Sequence, residues 1–175
     1  MRLFIAIDVP DAFNASLKDI QASLEGPGRL ILPKAFHLTL KFLGDVSEER
    51  YLHIQPILRS VKFRQFPLTT SSLGVFPSES YLQVIWLGFE PSQPLAKLQK
   101  EISKALESYY PHEKNFIPHI TLARVKSVQD KPKLLEKLKT PVPPMSWEAT
   151  DIKLCRSILT PNGPEYTELM SLISK

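Results

Sequence analysis

His37-Leu38-Thr39-Leu40 and His119-Ile120-Thr121-Leu122 carry the same pattern 82 positions apart: histidine, apolar residue, threonine, leucine. Successive side chains of a β-strand point to opposite faces. Read as strands, the two stretches each present an imidazole and a hydroxyl on one face and two aliphatic side chains on the other. The aliphatic face is fit for a core and the polar face for a cleft. Two such strands facing a shared cleft would bring two histidines to one substrate. An imidazole titrates near pH ~6.5, so one of the pair can be neutral while the other is protonated. That combination suits phosphoryl chemistry with one general base and one general acid.

The surrounding sequence repeats with the motifs. Short apolar runs rich in β-formers cover Leu3 to Val9, His37 to Leu43, Leu82 to Leu87, His119 to Val125 and Ile152 to Leu159. Phe13, Leu17, Ile20 and Leu24 recur at helical spacing after Pro10, and Leu95, Leu98, Ile102 and Leu106 do so after Pro94. Ser47, followed by Glu48 and Glu49, reads as a helix N-cap, as does Asp130 ahead of Pro132. Each half therefore reads strand, helix, His-x-Thr strand, helix, strand. A period of about 80 residues predicts two related lobes, because a solenoid needs several shorter repeats. Residues 1–175 are expected to form one two-lobed α+β domain whose sheets exchange strands, with no flexible linker between the halves.

Composition narrows the field. With 43% hydrophobic residues the chain has enough apolar side chains for a packed core, which excludes a disordered protein. The net charge of +4 leans toward an anionic partner. Cys155 is the one cysteine, so neither an intrachain disulfide nor a cysteine-based zinc site is available. The apolar start is cut short by Asp8 and Pro10, and no run reaches the ~20 residues that span a bilayer. A cytoplasmic, non-membrane protein is expected.

The candidate site residues follow from strand parity. Thr39 and Thr121 stand beside the histidines and can donate to phosphate oxygens. Lys41 falls on the cleft face by alternation. Arg124 formally points away from it, and reaches a phosphate only if the strand ends or bulges. Two histidines without a carboxylate in either motif make a poor metal site, so no metal or other cofactor is expected. His53 falls within a helical pattern and His112 in a loop; neither is expected to act. Tyr109, Tyr110 and Phe116 are open to base stacking or to core packing alike.

These residues resemble a known family. Phe36-His37-Leu38-Thr39-Leu40-Lys41-Phe42-Leu43-Gly44 and Pro118-His119-Ile120-Thr121-Leu122-Ala123-Arg124 are similar to the two signatures of the two-histidine phosphoesterases, and more narrowly of the RNA 2′,3′-cyclic phosphodiesterases, also called 2′–5′ RNA ligases. The resemblance extends over Arg2 to Ile7, Gly74 to Pro77, Val84 to Gly88 and Leu154 to Leu159, with Gly163 and Tyr166 following. It implies two pseudo-twofold-related lobes with antiparallel sheets around a central cleft and helices outside. It also implies metal-free opening of a 2′,3′-cyclic phosphate at an RNA end to a 2′-phosphate. In that chemistry His119 is the proton acceptor that activates water, and His37 the proton donor to the departing 3′-oxygen. Thr39, Thr121 and Arg124 would hold the phosphate. Joining of RNA halves through a 2′–5′ bond, with an RNA hydroxyl replacing water, would use the same site. The implied partners are RNA with 2′,3′-cyclic or 2′-phosphate ends, tRNA fragments among them, with the protein a monomer. Rival readings are a phosphodiesterase for a cyclic nucleotide of the ADP-ribose type or for 2′–5′ oligonucleotides, and an RNA-end-binding module without catalysis.

Overall fold

The computed structural model describes residues 1–160 and 163–175. The chain runs β1 (Arg2–Asp8), a 3-10 turn (Asp11–Phe13) into α1 (Asn14–Leu24), β2 (Gly28–Ile31), β3 (His37–Asp45), α2 (Glu48–Ser60), β4 (Phe66–Ser78), β5 (Tyr81–Phe89), α3 (Gln93–Ala105), β6 (His119–Val128), α4 (Lys131–Leu138), β7 (Ser146–Ala149), β8 (Asp151–Thr160) and β9 (Gly163–Ile173). The expected caps form: Ser47 Oγ accepts from the Arg50 N–H at 3.2 Å, and Asp130 Oδ1 from the Lys133 N–H at 3.0 Å. Each satisfies an amide that the first helical turn leaves without a partner. Four strands were not visible as apolar runs. β2 and β7 have only four residues each, and β4 and β9 are largely polar on one face.

All strand pairings are antiparallel, in the order β7-β4-β5-β6-β3-β1-β8-β9, with β2 also on β6. The fold is α+β, as the alternating runs and helical spacings predict. The order is symmetric in the repeat: the two motif strands β6 and β3 sit at the centre, flanked by the two opening strands β5 and β1. The last strands are exchanged. β4 from the first half joins β5, and β8 from the second half joins β1.

The helices are exchanged as well. Leu17 and Leu24 of α1 and Leu134 of α4 share a core with Ile85, Leu87, Ile120 and Leu122. Ile54 and Leu58 of α2 and Leu95, Leu98 and Ile102 of α3 share another with Ile5, Leu38, Leu40 and Leu154. So α1 leaves β1 to cover β5 and β6, while α3 leaves β5 to cover β1 and β3. Tyr110 and Phe116 pack on the second of these cores, the bland alternative for those rings. His53 is exposed on α2, and His112 is exposed with its Nε2 3.3 Å from Glu107 Oε2.

Two β-bulges decide where the motif side chains go. On β1, Ala6 pairs with Thr39 but Ile5 pairs with Lys41, so Leu40 is an extra residue. On β5, Trp86 pairs with Thr121 but Ile85 with Ala123, so Leu122 is extra. An extra residue reverses the alternation beyond it. Leu40 and Lys41 are both buried, as are Leu122 and Ala123, while Phe42 and Arg124 emerge on the histidine face.

The bulge corrects the expectation for Lys41. It does not line the cleft. It is 2% exposed, and its Nζ donates to Glu113 Oε1 at 2.7 Å and to the Pro111 carbonyl at 2.9 Å. Glu113 also accepts from Gln99 and Ser103 of α3, at 2.9 and 2.7 Å. The lysine therefore fastens the loop that leads into His119. The second bulge is tied down from α1, where Gln21 Nε2 donates to the Leu122 carbonyl at 2.9 Å and the Pro33 carbonyl at 3.0 Å.

Two outcomes follow from these ties. Gln21→Leu strips both carbonyls of a donor and should cost about 2–6 kcal/mol in urea unfolding, at roughly 1–3 kcal/mol per buried unsatisfied group; an unchanged midpoint would show that the tie is idle. Partial burial works against the Glu113 charge, but hydrogen bonds from Lys41 and Ser103 outweigh it and hold the carboxyl below its ordinary 4.5. A carboxyl lowered in the folded state stabilises above its unfolded value, and that stability is lost as pH falls through the folded one. Melting temperature should therefore drop below about pH 4.5, and Lys41→Met should flatten that part of the curve.

Candidate active site

β3 and β6 meet at one pair, Leu38 opposite Ile120. The antiparallel register set by that pair runs His37 toward Thr121 and Thr39 toward His119. Leu38, Leu40, Ile120 and Leu122 are buried on the helix side. His37, Thr39, His119 and Thr121 are partly exposed on the other side. The two imidazoles are close enough that a charge on His119 disfavours one on His37. The sequence-predicted site residues thus converge, apart from Lys41. Arg124 joins them because of the bulge at Leu122: its guanidinium acts on both His37 and Tyr166.

Aromatic rings wall each imidazole in the same way. His37 lies 4.9 Å from Phe4 and 4.9 Å, edge to face, from Tyr166. His119 lies 4.9 Å, edge to face, from Phe76 and 6.1 Å from Trp86. Gly74 makes room for the indole, since a Cβ there would overlap the Trp86 ring. Phe76 and Tyr166 come from β4 and β9, strands with weak apolar patterns. The resemblance quoted both positions, but parity and periodicity gave neither a place in the site.

The walls set the electrostatics. Burial pulls His37 down to about 4; Asp8 opposes that, and His119 and Arg124 reinforce it. Burial also lowers His119, opposed by its bond to the Ile117 carbonyl. That bond is 2.7 Å long, from Nδ1. A carbonyl only accepts, so Nδ1 carries the hydrogen and Nε2 offers its lone pair to the cleft. The tautomer is the one a proton acceptor needs.

A cavity of about 380 Å³ opens beside His37, lined by Phe4, Asp8, Asn14, Lys34, Lys153 and Tyr166 among others. A larger one, of about 840 Å³, lies elsewhere between Lys62–Phe66, the start of α3 and Lys175, and contains no motif residue. Of the motif residues His37 lines the smaller cavity, and His119, Thr39 and Thr121 lie on the same face of the sheet beyond its lining. Among the described residues no three His, Cys, Asp or Glu gather as a metal site. No helix among them is long and apolar enough to cross a membrane.

Comparison with known proteins agrees with this geometry. Residues 9–158 match the 2'-5' RNA ligase superfamily. The chain is 37% identical to the RNA 2',3'-cyclic phosphodiesterase of Methanocaldococcus jannaschii, over 95% of this chain and 96% of that protein. It is 36% identical to the one from Thermotoga maritima, over 97% and 93%. The crystal structure of E. coli LigT complexed with 3'-AMP superimposes with a TM-score of 0.77 at 27% identity, covering 99% of this chain and 97% of that one. With the His-x-Thr strands paired at the centre of the sheet and the likeness running the length of the chain, the protein belongs to the 2'-5' RNA ligase superfamily.

Proposed function

We propose that this protein is a metal-independent RNA 2′,3′-cyclic phosphodiesterase that leaves a 2′-phosphate. The observation that carries the reading is the pairing of two His-x-Thr strands at Leu38 and Ile120, which turns two imidazoles and two hydroxyls to one face. The relatives' names, RNA 2',3'-cyclic phosphodiesterase, support the substrate. A phosphate seated between the histidines has the acid and the base on either side of it.

His119 is the proton acceptor. Its Nε2 takes a proton from water as the oxygen attacks phosphorus, and the charge that develops on the ring is supported by the Ile117 carbonyl. His37 is the proton donor to the departing 3′-oxygen, so no free alkoxide has to form. Thr39 and Thr121 donate to the non-bridging oxygens, and Arg124 neutralises charge that collects on them. An RNA hydroxyl in place of water would give a 2′–5′ bond through the same groups. We place the protein in the cytoplasm as a monomer acting on RNA ends, tRNA fragments among them. The net charge of +4 and the single, buried cysteine support that placement.

Burial makes His37 a reluctant cation in the empty cleft. An anion beside a histidine favours its protonated form, so the substrate itself charges the acid. Followed by NMR, His37 should titrate near 4 in the free protein and move upward when inorganic phosphate saturates the cleft. A titration indifferent to phosphate would remove His37 from the phosphate site.

Turnover of a nucleoside 2′,3′-cyclic phosphate tests the chemistry. Replacing either histidine with alanine should cut kcat by roughly 10²–10⁴-fold. The double change should cost far less than the product of the two, because the groups act as a unit. Thr39→Ala and Thr121→Ala should each cost about 2–4 kcal/mol of barrier, the scale of an oxyanion donor. Activity should persist in excess EDTA; loss that one metal restores would overturn the mechanism. For RNA ends, oligoribonucleotides should beat the mononucleotide in kcat/KM, with an advantage that shrinks as salt rises. Equal values at every salt concentration would make a small cyclic nucleotide the substrate.

A further inference from the structure

The two motifs are near copies, so whatever makes one histidine the acid must come from its neighbours. The neighbours differ at the register position directly opposite each histidine. The β1 partner of His37 is Asp8, and the corresponding β5 partner of His119 is Gly88. A Cβ at Gly88 would lie 3.0 Å from both Ser71 Oγ and a Trp86 ring carbon, so that position is packed against a side chain of any length. Directly paired residues share a face, which puts the Asp8 carboxylate beside the His37 imidazole at the 380 Å³ cavity. The carboxylate is held there. Lys153 Nζ, on β8, lies 2.7 Å from Asp8 Oδ2 and 3.0 Å from Glu168 Oε2 of β9, and its side chain is 23% exposed. Asp8, His37, Lys153, Tyr166 and Glu168 all line that cavity.

We propose that Asp8, held beside His37 by Lys153, is a positioning residue that favours protonation of this histidine once phosphate occupies the cleft, and so tunes it as the acid of the pair. The inference rests on the reading of His37 as proton donor. Around His37, burial, His119 and Arg124 all disfavour the cation, and Asp8 is the group that favours it. Nearby, burial pushes the Cys155 thiol up to about 12 and raises the Tyr166 phenol, so both stay neutral at pH 7. Lys34 stands at the cavity edge. Its two acidic partners hold Lys153 well above the ordinary lysine range, so it remains a cation. The clamp thus sets two carboxylates against one ammonium and leaves negative charge facing His37. Because Lys153 occupies the carboxylate, Asp8 acts on the imidazole through its field. That field offsets part of the burial penalty without locking the imidazole in a direct ion pair.

The test uses the intact chain saturated with inorganic phosphate and follows the His37 and His119 rings by NMR. Asp8→Asn should lower the His37 titration by about 0.5–1 pH unit, a fraction of the 1–3 units that a fully desolvated opposite charge gives. His119 should stay where it is. At pH 7.5, kcat on adenosine 2′,3′-cyclic phosphate should fall about 3–10-fold, the same shift read as a rate, with KM within twofold, and Asp8→Glu should recover most of the loss. Lys153→Met removes a cation and frees the carboxylate, so the His37 titration should move the other way, upward. A His37 titration unmoved by Asp8→Asn, or moved the same way by both changes, overturns the clamp. A titration that shifts as expected while kcat does not would instead overturn His37 as proton donor.

Discussion

A strand has two faces, and each motif strand here uses both and then swaps them. Up to the threonine, alternation sends histidine and threonine to the cleft and aliphatic side chains to the core. One extra residue, Leu40 or Leu122, then reverses the order. The reversal puts Arg124 into the cleft and takes Lys41 out of it. A bulge leaves a carbonyl outside the ladder. The one at Leu122 is answered by Gln21, from a helix that reached it only because the helices are exchanged. Remove the extra residue and alternation would turn the Arg124 guanidinium from the histidine face toward the core.

The same exchange explains why the cleft is made of both halves. His37 belongs to the first repeat, yet Tyr166, Lys153 and Glu168 around it come from the C-terminal strands. His119 belongs to the second, yet Phe76 arrives from β4 of the first. Neither half encloses a histidine by itself. The exchanged strands supply aromatic walls, and burial among them drives both imidazoles toward the neutral form. A cleft that disfavours cations when empty and admits an anion when working couples protonation to occupancy.

Twofold repetition gives two tools, and catalysis needs them to differ. The structure breaks the symmetry outside the motifs. A backbone carbonyl from Ile117 fixes the tautomer of His119. A carboxylate on the neighbouring strand faces His37, where the counterpart is a glycine. Lys41 and Glu113 steady the loop that carries Ile117, a task far from the phosphate contact that its parity suggests. Its counterpart in the other motif is Ala123, which needs no partner.

The sequence by itself determined the motif strands, the helices capped at Ser47 and Asp130, the α+β class and the four residues His37, Thr39, His119 and Thr121. These are local matters: two-residue alternation, helical spacing and capping chemistry are written within a few positions of each side chain. Arg124 was legible only as a conditional, because a bulge is a mismatch between two strands and exists in neither alone. Lys41 was misplaced for the same reason. Asp8 and Lys153 came into the site through long-range pairings, Asp8 with His37 and Lys153 with Ala6, and Phe76 and Tyr166 came with the hairpin partners of β5 and β8. Pairing at that range depends on which strands find each other once the helices have crossed to opposite cores, and only the tertiary structure decides it.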